Sequence, residues 1–317
     1  MPLYAGFDGT PLHYADSSPD HGGHAPPVIA LAGGAARHPS YLGDFAGLGS
    51  RFRLIIPHLR GVGHSPAPSR AELGSFWRQA EDLDRLREHL GLDRAVLVGH
   101  SAGTRLAIAY AARFPDRIAG IVLITPPAGY LVDTPSDTDE LIARHRGEPA
   151  FAAAVQASEA GPDLIDDDAF NAWQLRVTPM GYAVWGSAEQ AHSVIGRWNL
   201  AAVKAYFSVE PPADLVARIG RVAAPVLVIA GAEDCLTGVA PVKALAARFP
   251  AGRLELIERC GHYPWVEQPS AFRRAIDAFL DEREHAGKPV GPTFEPRHLP
   301  KDPQLPRSGR LPSPPTT

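Results

Sequence analysis

The chain has 317 residues, 45% hydrophobic and 21% charged, with a formal net charge of −4. That is ordinary globular composition, long enough for one large α/β domain with an insertion and for a core that needs no disulfides or metals. No basic stripe invites nucleic acid, no apolar run of about 18 residues suggests a membrane span, and the two cysteines, Cys235 and Cys260, make neither a disulfide framework nor a metal cluster.

The first nine residues lack a basic region followed by an apolar run, so no secretory signal is expected and a cytoplasmic, reducing setting is the default. Residues 3–16 read as a hairpin turning at Asp8-Gly9. Residues 28–32 form a buried strand ended by Gly33-Gly34, and residues 53–56 form another before Pro57 and a Gly-rich loop. Helical spacing covers 71–90, with Leu83, Leu86 and Leu90 on one stripe. A strand over 95–98 runs into Gly99-His100-Ser101-Ala102-Gly103, a helix follows over 104–113, and a strand over 121–124.

The alternation then stops. Between about Pro126 and Pro212 the text is helical, Ala-rich and aromatic, which predicts an inserted cap. It resumes with a strand at 226–230, a helix at 240–248, a strand at 254–257 and a closing helix over 269–285. Beyond Gly287 the chain is Pro-rich with almost no aliphatic content, and it is predicted to be disordered because it buries too little to offset its ordering entropy. The expected division is a core over 1–125 and 213–286, a cap over 126–212 and a tail over 287–317. Alternating strands and helices predict the α/β class.

Residues 99–103 match G-x-S-x-G between a strand and a helix, the context of a nucleophile elbow. The sharp turn lifts the Ser101 hydroxyl and aims the Ala102 N–H at a reacting carbonyl. A serine needs a base. Of thirteen histidines, His21 and His24 fall in a Gly-rich loop, His192 in the cap and His298 in the tail. His100 is tied to the elbow backbone. His262 follows the last strand in Cys260-Gly261-His262-Tyr263-Pro264, at the sheet edge where such folds place their sites, and it satisfies the order nucleophile, acid, histidine. The acid belongs after the penultimate strand, where Glu233 and Asp234 both stand; Asp234 is favoured because a shorter arm is more easily held. The second oxyanion donor belongs after the first central strand, with Gly34 the candidate and Ala35 the alternate.

At these residues the chain resembles the α/β-hydrolase superfamily and, within it, the proline iminopeptidase-like group. The resemblance covers about residues 3–285. It rests on residues 8–14, Leu31-Ala32-Gly33-Gly34, residues 59–65 with their Arg-Gly-x-Gly-x-Ser pattern, the elbow, residues 231–234 and residues 261–269. It implies an eight-stranded, mostly parallel sheet, a helical cap after strand 6 and no cofactor or metal. The chain departs from the family at Ala32, where a histidine is usual, at His58, where an aspartate is usual, and at Ala35, where iminopeptidases often have proline.

The reading that follows is a cofactor-independent serine hydrolase acting on a small-molecule ester, lactone or small amide through an acyl group on Ser101, with Trp173, Tyr182 and Trp185 as candidates for an apolar pocket wall. An aminopeptidase would need cap carboxylates to hold a free amine; Glu159, Asp166, Asp167, Asp168, Glu189 and Glu210 are available, and none matches the family's anchors. Acyl transfer or cyclisation is a second enzymatic reading, and a ligand receptor on the same fold is a non-enzymatic one.

Overall fold

The computed structural model describes residues 1–17 and 27–286. His21, His24, His298 and the Pro-rich tail, with the disorder expected of it, lie outside the described residues. The strands in chain order are β1 (Leu3–Ala5), β2 (Pro11–Ser17), β3 (Val28–Leu31), β4 (Leu54–Pro57), β5 (Ala95–His100), β6 (Ile118–Ile124), β7 (Val226–Gly231) and β8 (Gly252–Ile257). They form one 8-stranded sheet in the order β1-β2-β4-β3-β5-β6-β7-β8. The hairpin β1–β2 and the pair β2–β4 are antiparallel, and every later pairing is parallel.

Parallel strands need covering on both faces, so their apolar residues run without polar interruption. β5 and β7 are buried along their whole length. Alternate residues then serve opposite cores. Ile29, Leu97, Ile121 and Val228 join one cluster, whereas Ala30, Val98, Val122 and Ile229 join the other. The edge strand β8 keeps only a thin covering, with Arg253, Leu254 and Glu255 exposed.

Helices α1 (Phe76–His89) and α2 (Gly103–Arg113) pack against each other on the first cluster. The helical spacing over 71–90 divides at Ser75: a 3-10 turn covers Ala71–Gly74, and the Ser75 hydroxyl then accepts from Arg78 N–H as the cap of α1. Between β6 and β7 the chain forms α3 (Thr138–His145), α4 (Pro149–Glu159), α5 (Asp167–Val177), α6 (Ser187–Ser193), α7 (Leu200–Tyr206) and α8 (Leu215–Ile219), with no strand in the sheet. Then α9 (Ala240–Ala246) precedes β8, and α10 (Pro264–Glu267) and α11 (Pro269–Ala286) follow it. Among the described residues no helix is long and apolar enough to cross a membrane.

Candidate active site

β5 ends at His100, and Ser101 sits in the turn to α2 with φ of 50°. A non-glycine residue at positive φ is uncommon and marks strain that the surroundings must hold in place. Here the Ser101 N–H donates to the Ile124 carbonyl at 2.9 Å, and the Ser101 carbonyl accepts from Thr104 N–H at 2.9 Å. Gly103 permits the turn by close approach: a Cβ there would lie 2.4 Å from the Leu31 carbonyl oxygen and 2.6 Å from that of Ala32. The sequence pattern at 99–103 is therefore the condition for α2 to start against the end of β3.

Asp234 and His262 reach the same sheet edge from the loops after β7 and β8. His262 Nδ1 is 2.8 Å from Asp234 Oδ2, and both side chains are buried. Glu233, the other carboxylate of that loop, instead lies 3.3 Å from His145 Nε2. Asp234 also accepts from Leu236 N–H, Thr237 N–H and the Thr237 hydroxyl, at 2.9, 3.2 and 2.6 Å. Burial opposes its ionisation, but the His262 charge and these hydrogen bonds outweigh it and hold the carboxyl below its ordinary range. An ionised Asp234 can only accept, so His262 carries a proton on Nδ1, and in a neutral imidazole Nε2 is then the acceptor. No hydrogen bond joins Nε2 to the Ser101 hydroxyl among the described residues; such contacts are often long before substrate binds.

The loop after β3 carries positive φ at three successive residues, 65° at Gly34, 45° at Ala35 and 87° at Ala36. It lies on the serine, since a Cβ on Gly33 would be 2.8 Å from Ser101 Cβ. Among the described residues neither Gly34 N–H nor Ala102 N–H meets an acceptor, so two backbone donors are free there to take an oxygen.

Residues that sequence reasoning missed hold this arrangement. Gly33 N–H donates to Tyr41 Oη at 2.6 Å, and Tyr41 Oη is 2.8 Å from His100 Nδ1. His100 Nε2 is 3.0 Å from the His262 carbonyl, which can only accept. Burial, then the neighbouring His262, keep His100 well below the usual imidazole range, so it is neutral with its proton on Nε2. A single direction follows: Gly33 N–H to Tyr41, Tyr41 O–H to His100, His100 N–H to His262. Glu267 accepts from the backbone N–H groups of Gly261 and Tyr263, on either side of His262, and from Ala183. Among the described residues the buried Arg37 guanidinium has no carboxylate; it donates to the carbonyls of Ser193, Ile195 and Gly196 and to Tyr263 Oη, and lies 4.3 Å from the ring centres of both Tyr41 and Trp198. Glu267 was visible inside the 261–269 motif. Tyr41 and Arg37 had no local signal.

The three aromatic wall candidates have other partners. Trp173 donates its indole N–H to Ala157 and stacks on Phe170 inside the insertion. Tyr182 is buried, bonded to His192 Nδ1 at 2.6 Å and stacked on Tyr263 beside His262, with Trp185 tilted against it. His58 stacks on His64 and meets His38 edge-on, next to the loop after β3. Both cysteines are free and buried, in different apolar clusters.

A family model described as the alpha/beta hydrolase fold matches residues 26–269. A Caulobacter sp. (strain K31) protein provisionally named carbamate hydrolase RutD is 28% identical over 268 residues, 82% of this chain and 93% of that protein. A proline iminopeptidase of Heyndrickxia coagulans is 25% identical over 284 residues, 83% of this chain and 93% of its own length. Among solved structures, a thermophilic esterase from Thermogutta terrifontis superposes with a TM-score of 0.62 at 25% identity, covering 89% of this chain and 98% of that one.

Proposed function

The chain belongs to the α/β-hydrolase fold family, and on that footing we propose that it is a cofactor-independent serine hydrolase that cleaves a small ester, lactone or amide through an acyl-enzyme on Ser101. The observation that carries this reading is the buried Asp234–His262 pair at the same sheet edge as a strained serine and two backbone N–H groups that meet no acceptor among the described residues. Ser101 Oγ attacks the carbonyl carbon while His262 Nε2 takes the hydroxyl proton. Asp234 holds the tautomer and stabilises the imidazolium. Gly34 and Ala102 N–H receive the oxyanion. Collapse expels the leaving group, which receives the proton from His262. Water then attacks the acyl-enzyme, gives its proton to His262, and Ser101 leaves with that proton restored.

The insertion's carboxylates favour esters over N-terminal prolyl substrates. Asp166 is occupied as the cap of α5, Asp167 by Leu200 N–H, Asp168 by Arg197 and Glu189 by Gly186 N–H, while Glu159 and Glu210 are exposed. None is left buried and unpaired to hold an ammonium group. Tyr182 and Trp185, beside Tyr263, and Trp173 are proposed for the apolar wall.

The test is a fluorophosphonate probe and a side-by-side panel of p-nitrophenyl esters and prolyl amides at one pH. Ser101→Ala should lose the label and at least about a thousandfold in turnover. Undiminished labelling of that variant, or strong preference for the prolyl amides, would overturn the reading.

A further inference from the structure

Arg105 lies in the first turn of α2, four residues past Ser101 in the chain, and it is only half-buried. Three other sequestered arginines hold carboxylates, Arg60 with Asp82 and Asp8, Arg87 with Asp84 and Arg113 with Glu81, and Arg37 gives its N–H groups to backbone carbonyls and Tyr263 Oη. Arg105 has no carboxylate and no hydrogen-bond acceptor for its side chain among the described residues. Its guanidinium carbon instead lies 3.8 Å over the Tyr130 ring, 5.5 Å from that of Phe207 and 5.9 Å from that of Phe76. A cation in the first turn also opposes the helix dipole, and no acidic residue shares that turn to offset it.

A second unmet group stands beside it. Tyr130 Oη is buried with no hydrogen-bond partner among the described residues, although buried hydroxyls are ordinarily paired. The cage is tied to the elbow: Tyr206 packs edge-on against Phe207 and gives its O–H to the Ala102 carbonyl at 2.7 Å. An unpaired guanidinium and an unpaired phenol thus meet one turn of chain from the serine, at the seam between sheet and insertion.

We propose that Arg105 and Tyr130 form an anion subsite that receives a carboxylate at the far end of the acyl group, so that the preferred substrates are monoesters of short dicarboxylic acids. The inference rests on the serine-hydrolase reading for its link to turnover, but the anion subsite itself does not. One guanidinium balances one negative charge, which suits a carboxylate over a doubly charged phosphate. The guanidinium forks onto both carboxylate oxygens, and the phenol O–H supplies a further donor. The same charge repels the ammonium group of an aminopeptidase substrate.

The experiment compares p-nitrophenyl hydrogen glutarate with p-nitrophenyl valerate, a neutral ester of equal acyl length, on the full chain. The wild type should favour the glutarate ester in kcat/KM by about tenfold or more, the size of one charge-assisted hydrogen bond. That ratio should collapse in Arg105→Met, mainly through KM, and fall in Tyr130→Phe, which removes only the hydroxyl. Binding is read separately: free glutarate should raise the melting temperature of the wild type and not of Arg105→Met, while inorganic phosphate should not. If fluorophosphonate fails to label wild-type Ser101 but glutarate still stabilises in an Arg105-dependent way, the hydrolase reading falls and the anion subsite stands. A wild type with no glutarate preference and no glutarate stabilisation overturns the subsite, as does a preference that survives Arg105→Met; equal stabilisation by phosphate overturns the assignment to carboxylates.

Discussion

His262 Nδ1 and Asp234 Oδ2 stand 2.8 Å apart with both side chains sealed from solvent, while the adjacent Glu233 pairs with His145. A neutral amide in place of Asp234 can meet that imidazole nitrogen with its NH2 and hold the wrong tautomer. Asp234→Asn should therefore lower kcat by up to about ten-thousandfold with the fold intact. Glu233→Gln should cost far less, because its carboxylate does not touch His262. Equal losses in the two variants would remove Asp234 from the role.

Tyr41 joins the loop after β3 to the end of β5 through one oxygen, accepting from Gly33 N–H and donating to His100, whose other nitrogen meets the His262 carbonyl. Tyr41→Phe keeps the ring against Trp265 and leaves two buried polar groups unpaired. The expected destabilisation is about 1–3 kcal/mol, read as a shift in urea midpoint at constant slope. Because Gly34 follows directly, kcat should fall more than KM rises. A variant with unchanged midpoint and kcat would show that the link carries no weight.

Acid should weaken the fold before the ordinary surface carboxylates are protonated. Burial first, then neighbouring histidines, push His58 down to about 4, and burial pushes His192 to about 4 as well. His100 is lowered in the same direction. A histidine with a depressed folded pKa contributes stability that is complete above its unfolded value of about 6.5 and is lost as pH falls. Glu267 runs the other way: burial raises it to about 7, so it favours the fold most at low pH and loses that contribution as pH rises. His38 is lowered as well, mainly by burial, so four depressed histidines stand against Glu267 and unfolding takes up protons below about pH 6.5. Stability should fall from about pH 6.5 downward. His58→Gln should flatten that slope by up to one proton. Stability that holds or rises over this interval would contradict the assignment.

The central strands β3, β5, β6 and β7 were legible because each is a short run of apolar residues with a glycine or proline at or just past its end, and burial on both faces leaves little other composition possible. Gly99 and Gly103 were legible for a similar local reason. Residues 71–90 were less so, since helical spacing does not reveal that Ser75 ends one turn and caps the next. Trp173 was legible as an aromatic of the insertion, but its aromatic character does not say that its N–H is given to Ala157. Tyr41, Arg37 and Tyr206 act on segments 59, 158 and 104 residues away. Nothing periodic marks such a partner.

Arg37 is the clearest of these long-range residues, and its removal separates two opposing effects. A buried charge without a carboxylate is costly, so an apolar replacement of similar length could stabilise the fold. Against this, the guanidinium supplies the donors for Ser193, Ile195 and Gly196, and its loss leaves those carbonyls unmet in a segment that returns to the loop after β3. That return is close: His38 N–H donates to the Arg197 carbonyl at 2.8 Å, and Trp198 packs on Gly34 so tightly that a Cβ there would be 2.5 Å from its Nε1. Each unmet carbonyl costs about 1–3 kcal/mol, so the losses should outweigh the relief and Arg37→Met should destabilise by roughly 2–5 kcal/mol. Arg37→Lys should recover only part, because an ammonium cannot span three carbonyls while stacked between two rings. Amide exchange in Arg37→Met should quicken at residues 193–198 and at 34–38 together, while the strands stay protected. A stabilised Arg37→Met protein, or faster exchange confined to one of those segments, would show that the guanidinium does not join the insertion to the loop after β3.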